Sequence, residues 1–253
     1  MISISEAQLL AWVTPVLWPF LRVLALLQVL PVIGQRLVPL RVRVGLAFLV
    51  ALSAQASLPP VAPVPLDSAL AIALVAQQLM VGLTIGFAVR LLVAAVELGG
   101  EIAGLQMGLN FDGFFDPVSA TQATATSRYF GTLVSFLFIV VNGHLMVIES
   151  VIRSLEVFPV GPEPFAFVKA LQPQLWGAEI FRMGLWIATP LIAMLMLVNL
   201  VLGVVSRVAP QANIFALGFP VTLGVGLVGL MAMLPSLQGP FITTLERLMA
   251  PMR

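Results

Sequence analysis

The chain has 253 residues, of which 60% are apolar and only 9% charged, with 12 Lys and Arg against 11 Asp and Glu for a formal net charge of +1. Soluble domains carry roughly 25% charged residues, so a water-soluble enzyme domain is excluded, and so is disorder, which needs an apolar-poor chain. The lack of cysteine removes disulfides and thiolate chemistry, the near-zero charge removes the basic stripe that nucleic acid requires, and a mean hydropathy of +1.09 leaves an integral membrane protein.

Met1 to Glu6 carry no Lys or Arg ahead of the first apolar run. A cleavable signal peptide needs a positive start and a small-residue cleavage site, so the first segment is expected to be retained. A helix crossing the hydrocarbon core needs about 20 mostly apolar residues. Six runs qualify as candidates: Leu9–Leu30, Val44–Leu58, Leu66–Val89, Tyr129–Ile152, Met183–Val205 and Ile214–Leu234. A seventh, Leu91–Met107, is helical in pattern but carries Glu97 and Glu101. The second run stops at Pro59-Pro60, with Pro63 and Pro65 beyond, a stiff connector because proline fixes φ and cannot continue a helix.

Polar residues interrupt these runs: Arg22 in the first, Gln77-Gln78 in the third, Asn142-Gly143-His144 in the fourth, and Pro190 and Asn199 in the fifth. A central Arg costs about 2.5–3.5 kcal/mol on insertion scales. Such groups either snorkel or pair within one bundle, or much of the chain is buried against other subunits and barely touches lipid. If the six runs alternate, one side holds Arg36, Arg41, Arg43, Arg90, Arg128 and Arg207, and the other holds Arg153, Lys169, Arg182, Arg247 and Arg253. The first loop would be cytoplasmic by the positive-inside rule, yet six against five is almost no bias.

Gly100, Gly104 and Gly108 recur every fourth residue and line one helix face, which lets another backbone approach closely; Gly82 and Gly86 repeat the spacing. Leu109-Asn110-Phe111-Asp112-Gly113-Phe114-Phe115-Asp116-Pro117 follows, rich in turn formers. Its phenylalanines need a surface, either the chain's own helices or an apolar constriction of a conduit. Asp112 and Asp116 alone make a poor cation site.

The sequence offers no catalytic constellation and no cofactor. His144 is the sole histidine, so one chain cannot build a His metal cluster; it reads as hydrogen-bonded at a helix break beside Asn142 and Gly143. Neither a phosphate loop nor a dinucleotide fingerprint is present. Glu97 and Glu101 share one helix face, where they act as a proton relay or are neutralised by arginines of neighbouring helices.

Three blocks carry a family resemblance: Pro31 to Ala47, Gly100 to Phe111 closing on Asp116-Pro117, and Asn199 to Pro220 with its Ser206-Arg207-Val208-Ala209-Pro210-Gln211-Ala212-Asn213-Ile214-Phe215 core. Together they resemble the FliR family of type III secretion export-gate proteins, over nearly the whole chain and in the expected order. Asn142-Gly143-His144 also matches, although many relatives have a second His where this chain has Leu145.

The resemblance implies an all-α membrane protein, one domain over residues 1–253, of six to seven long hydrophobic helices in tilted, kinked hairpins packed in a helical hetero-oligomer. One such chain would assemble with several copies each of FliP and FliQ, alongside FlhB and FlhA, in the bacterial inner membrane and flagellar basal body. Unfolded flagellar proteins would be the cargo. The loop Gln106, Met107, Gly108, Leu109, Asn110, Phe111, Asp112, Gly113, Phe114 and Phe115 would be the plug, with Met107, Phe111, Phe114 and Phe115 as its apolar seal. Arg41, Arg43 and Arg207 are assigned to inter-subunit or intra-chain pairing with Glu97 and Glu101, and Asn199 to a buried polar position. The alternative is a self-contained proton-coupled secondary transporter using Glu97 and Glu101. It predicts internal repeats, and residues 1–125 and 126–253 show no convincing one.

Overall fold

The structure is a computed structural model that describes residues 6–34, 38–56, 58, 64–65, 68–109, 124–161, 167, 172, 176–209 and 214–252. These residues are all-helical, with no strand among them. The helices are α1 (Glu6–Val29), α2 (Leu40–Gln55), α3 (Ala69–Met107), α4 (Ala125–Val140), α5 (Gly143–Val157), α6 (Trp176–Val208), α7 (Ile214–Met233) and α8 (Gln238–Met249). Two 3₁₀ turns follow α7 and α8, at Leu234–Leu237 and Ala250–Met252. Trp12–Val29, Ala69–Met107, Trp176–Val208 and Leu217–Met252 are long and apolar enough to cross a membrane, and the bent pair α4–α5 makes up to five spans.

Three sequence expectations change. From Ala69 onward the runs Leu66–Val89 and Leu91–Met107 form one 39-residue helix, α3. Arg90, Glu97 and Glu101 interrupt hydropathy, but charged side chains do not break a helix and no proline falls between. The run Tyr129–Ile152 is not a straight span: it bends by 68° between α4 and α5. There Asn142 takes the left-handed φ of 56°, which a short polar side chain tolerates. A Cβ on Gly143 would meet the Phe138 ring at 2.6 Å, so the turn needs glycine at that point. Finally, α7 ends at Met233, beside the Leu234 that closes the last run, but a 3₁₀ turn and α8 follow it directly, so that Leu217–Met252 form one candidate span.

The chain divides into two compact units, one of residues 1–90, 138–176 and 244–253, the other of 91–137 and 177–243. In the first, α1 keeps Pro15 and Pro19 inside its span, although each lacks an N–H for the ladder. The chain turns at Leu30–Gly34, where Gly34 N donates to Leu30 O over 2.7 Å, and re-enters a helix after Pro39. Arg43 Nη1 donates to Gln28 Oε1 at 2.7 Å, tying the start of α2 to the end of α1. The first part of α3 lies along α1 in the same direction: Gly82 faces Arg22 and Ala25, and Gly86 faces Leu26 and Val29. Trp18, Leu26, Leu27, Leu74, Val81, Ile85, Val147, Val151 and Met252 fill the core.

In the second unit, Gly100 meets Phe130 and Gly104 meets Thr126, so the latter part of α3 runs antiparallel to α4. α6 and α7 meet where Gly229 faces Leu191 and Met194.

Candidate functional site

Residues 91–107 of α3 carry the expected glycine stripe, and the neighbouring helices come close over it. A Cβ on Gly100 would lie 2.4 Å from Phe130 Cδ2, and one on Gly104 would lie 2.2 Å from Thr126 Oγ1. Real Cβ contacts do not reach such distances, so α4 sits in a groove that only glycine leaves open. A second close approach was not legible in the sequence. A Cβ on Gly99 would lie 2.9 Å from Ile187 Cγ2, and one on Gly184 would lie 3.0 Å from Ala95 O. The two glycines stand on different helices, so no spacing within one segment connects them.

Gly108 departs from the stripe. It has φ 81°, a conformation open to glycine at almost no steric cost, and its N–H donates back to Leu105 O at 3.1 Å. It therefore ends α3, the αL stop common at helix C-termini. Met107 before it is fully buried. It packs on Gly226 of α7, where a Cβ would meet Met107 Cγ at 2.5 Å. Thr222 Oγ1 lies 3.4 Å from Met107 O, although its shorter contacts go to Gly218 O and Phe219 O in its own helix, at 3.0 and 3.1 Å. The root of the expected plug loop is thus a fixed point, with Gln106 and Leu109 half-buried beside it. Asn110, Phe111, Asp112, Gly113, Phe114 and Phe115 lie outside the described residues.

The polar residues split. Arg22, Gln77 and Gln78 are buried. Arg41, Asn199 and Arg207 are exposed in the single chain, and the position of Gly203 is open, with nothing within 4 Å of a Cβ there. Arg43 is held in its own unit by Gln28 and by Val38 O at 3.0 Å. Glu97 lies over Gly131, where a Cβ would come within 2.6 Å of its carboxylate, and Glu101 is half-buried. His144 sits at the helix break, edge-on to Phe138 with centroids 6.5 Å apart. The hydrogen bond expected of it is not made at Nδ1, which is buried without a partner among the described residues. No group of three His, Asp or Glu able to hold a metal occurs among those residues.

The long apolar spans and the glycine-tight helix contacts define an all-α membrane protein. The sequence profile described as "Bacterial export proteins, family 1" matches residues 13–248. The chain is 41% identical over 241 residues to the flagellar biosynthetic protein FliR of Escherichia coli (strain K12), covering 95% of this chain and 92% of that one. It is 37% identical to the FliR of Pectobacterium carotovorum subsp. carotovorum, over 93% and 90% of the two chains. Identity to the FliR of Aquifex aeolicus (strain VF5) is 32%, over 85% and 83%. The chain belongs to the bacterial export protein family 1.

Proposed function

We propose that this chain is a core subunit of the flagellar type III protein export gate. It assembles with FliP and FliQ, in contact with FlhB and FlhA, in the bacterial inner membrane at the flagellar basal body, and it passes unfolded flagellar proteins without doing chemistry on them. Its relatives' names and its family support the export role.

The observation that carries the gating part is the end of α3. Met107 is fixed beneath α7 and Gly108 stops the helix, so the run from Leu109 to Phe115 leaves from a rigid root. A segment with a rigid root and three phenylalanines suits an apolar seal, which excludes ions by dewetting and yields when cargo presses through it. Gating of this kind is passive, with energy supplied by partner proteins and the proton motive force. The exposed Asn199 and Arg207 fit a chain whose helices are finished by neighbouring subunits.

Two measurements test this. Native mass in mild detergent, with and without co-expressed FliP and FliQ, should rise to several times the 27.0 kDa of the chain only with the partners. A stable monomer indifferent to them would overturn the assembly. In the assembled complex, replacing Phe111, Phe114 and Phe115 by Gly should leave the mass unchanged and make membranes leaky to small ions. Unchanged conductance in such a complex would overturn the plug.

A further inference from the structure

We infer that Arg22 is the C-terminal cap of α5, a clamp in which a cation buried within an apolar helix is balanced by the end of another helix instead of by a carboxylate. Arg22 has no exposed surface. Its Nε donates to Gln78 Oε1 at 2.7 Å. Nη1 donates to Ser154 O at 2.6 Å and to Ser154 Oγ at 3.0 Å, and Nη2 donates to Phe158 O at 2.8 Å. Every one of these acceptors is neutral. The acids of α5 are Glu149 and Glu156, and both are exposed on the helix's outer side, with Glu149 paired to Arg153 at 3.0 Å.

The counter-charge is the helix itself. α5 ends at Val157, so the carbonyls of Ser154 and Phe158 belong to its final turn and its exit. Ser154 O also accepts the N–H of Phe158 at 2.9 Å, so the guanidinium occupies its second lone pair, whereas Phe158 O lies past the last helical residue. Helix-end carbonyls carry the negative end of the macrodipole, about half an elementary charge. The guanidinium is a planar fork with donors in fixed directions. It reaches two carbonyls on one side while Gln78 holds its Nε on the other. Gln78 is itself positioned: its Nε2 donates to Gln77 Oε1 at 2.9 Å, and Gln77 Nε2 donates to Pro159 O at 3.2 Å. Side chains of α1 and α3 therefore grip three carbonyls, those of Ser154, Phe158 and Pro159, at the point where α5 hands over to the connector. The bonds span 132 residues from Arg22 to Ser154 and 82 from Gln77 to Pro159, so local propensity does not set this helix end. Arg22 is a positioning residue that fixes where α5 stops and where the chain leaves it.

The test is residue-resolved hydrogen exchange on the full chain in detergent. Arg22→Met is expected to speed exchange of the amides from Ser154 to Phe158 by at least about tenfold, with the amides of Ala47 to Ala54 in α2 unchanged. Arg22→Lys keeps the charge without the fork and is expected to fall between wild type and Arg22→Met. Unchanged exchange at the end of α5 overturns the cap, as does an equal rise in α2, which would mark general loosening of the core. A lysine variant exchanging as fast as the methionine one overturns the role of charge. Where Arg22→Met fails to fold, Gln78→Leu carries the test, since it leaves the cation in place and removes its Nε acceptor. It is expected to speed exchange about threefold at residues 154–158 alone, and an absent or uniform effect overturns the clamp.

Discussion

Gly82→Ala adds one methyl group at the tightest helix contact of the first unit. The new Cβ would lie 2.1 Å from the carbonyl oxygen of Arg22, short of the 3.4 Å of ordinary contact by about 1.3 Å, and 2.9 Å from Ala25 Cβ. The obstructing atom is backbone, so no side chain can turn aside and α1 must move off α3. A gap of 0.5–1 Å already forfeits a quarter to a half of the dispersion at each contact. Overpacking a core costs about 1–3 kcal/mol, with backbone shifts at the top of that range. A loss of about 3 kcal/mol is therefore expected for Gly82→Ala.

Two other glycines calibrate the effect. At Gly86 the nearest atoms would be 3.0 and 3.1 Å from a Cβ, so Gly86→Ala should cost about 1 kcal/mol. At Gly203 nothing lies within 4 Å, and alanine should gain up to about 1 kcal/mol from helix propensity. Unfolding by rising SDS in mixed micelles, followed by circular dichroism, would rank the three variants. If Gly82→Ala unfolds with Gly203→Ala, the close approach of α1 and α3 is not what holds them, and the reasoning fails.

Met107→Ala would empty the pocket beneath Gly226 and should cost about 2–4 kcal/mol in the same titration; a loss below about 1 kcal/mol would mean that the loop root is not anchored there. Asn142→Val places a β-branched residue at φ 56° and should cost about 1–2 kcal/mol, whereas Asn142→Gly should stay within about 0.5 kcal/mol. Equal losses for both would show that the side chain of Asn142, and not its backbone, holds the bend.

The apolar runs were legible because burial in lipid or protein selects composition over twenty residues at a time, and α1, α2, α6 and α7 fall where those runs do. Charge misled at α3: Arg90, Glu97 and Glu101 cut the hydropathy of a segment whose backbone has no reason to stop. The stop comes at Gly108, whose φ of 81° leaves the helical region. The same residue shows the limit of spacing arguments. Three glycines four apart look equivalent, but two accept Phe130 and Thr126 against their faces and the third adopts a φ that spacing does not encode. Asn142-Gly143-His144 marked a break but not its 68° angle, which depends on Phe138 crossing over Gly143. Gly99 with Gly184, and Met107 with Gly226, are pairs made by tertiary packing between distant segments, so no local pattern marks them.

The polar residues inside the apolar runs had two readings, closure within the chain or burial against other subunits, and closure within the chain holds for one set. Arg22, Gln77 and Gln78 are closed by Ser154, Phe158 and Pro159, so that part of the first unit needs no outside partner to satisfy them. Asn199, with Gly203 and Arg207 one and two turns on, shares one face of α6 and remains exposed there. An unpaired amide facing hydrocarbon is costly, and an interior helix glycine loses roughly 1 kcal/mol to alanine unless something packs on it. A chain that tightens its glycines to sub-contact distances at residues 82, 100 and 104 yet leaves Gly203 open has one finished polar seam and one unfinished helix face. The proposed assembly would cover that face with a neighbouring subunit, whereas a self-contained transporter would have to close its polar groups with its own helices.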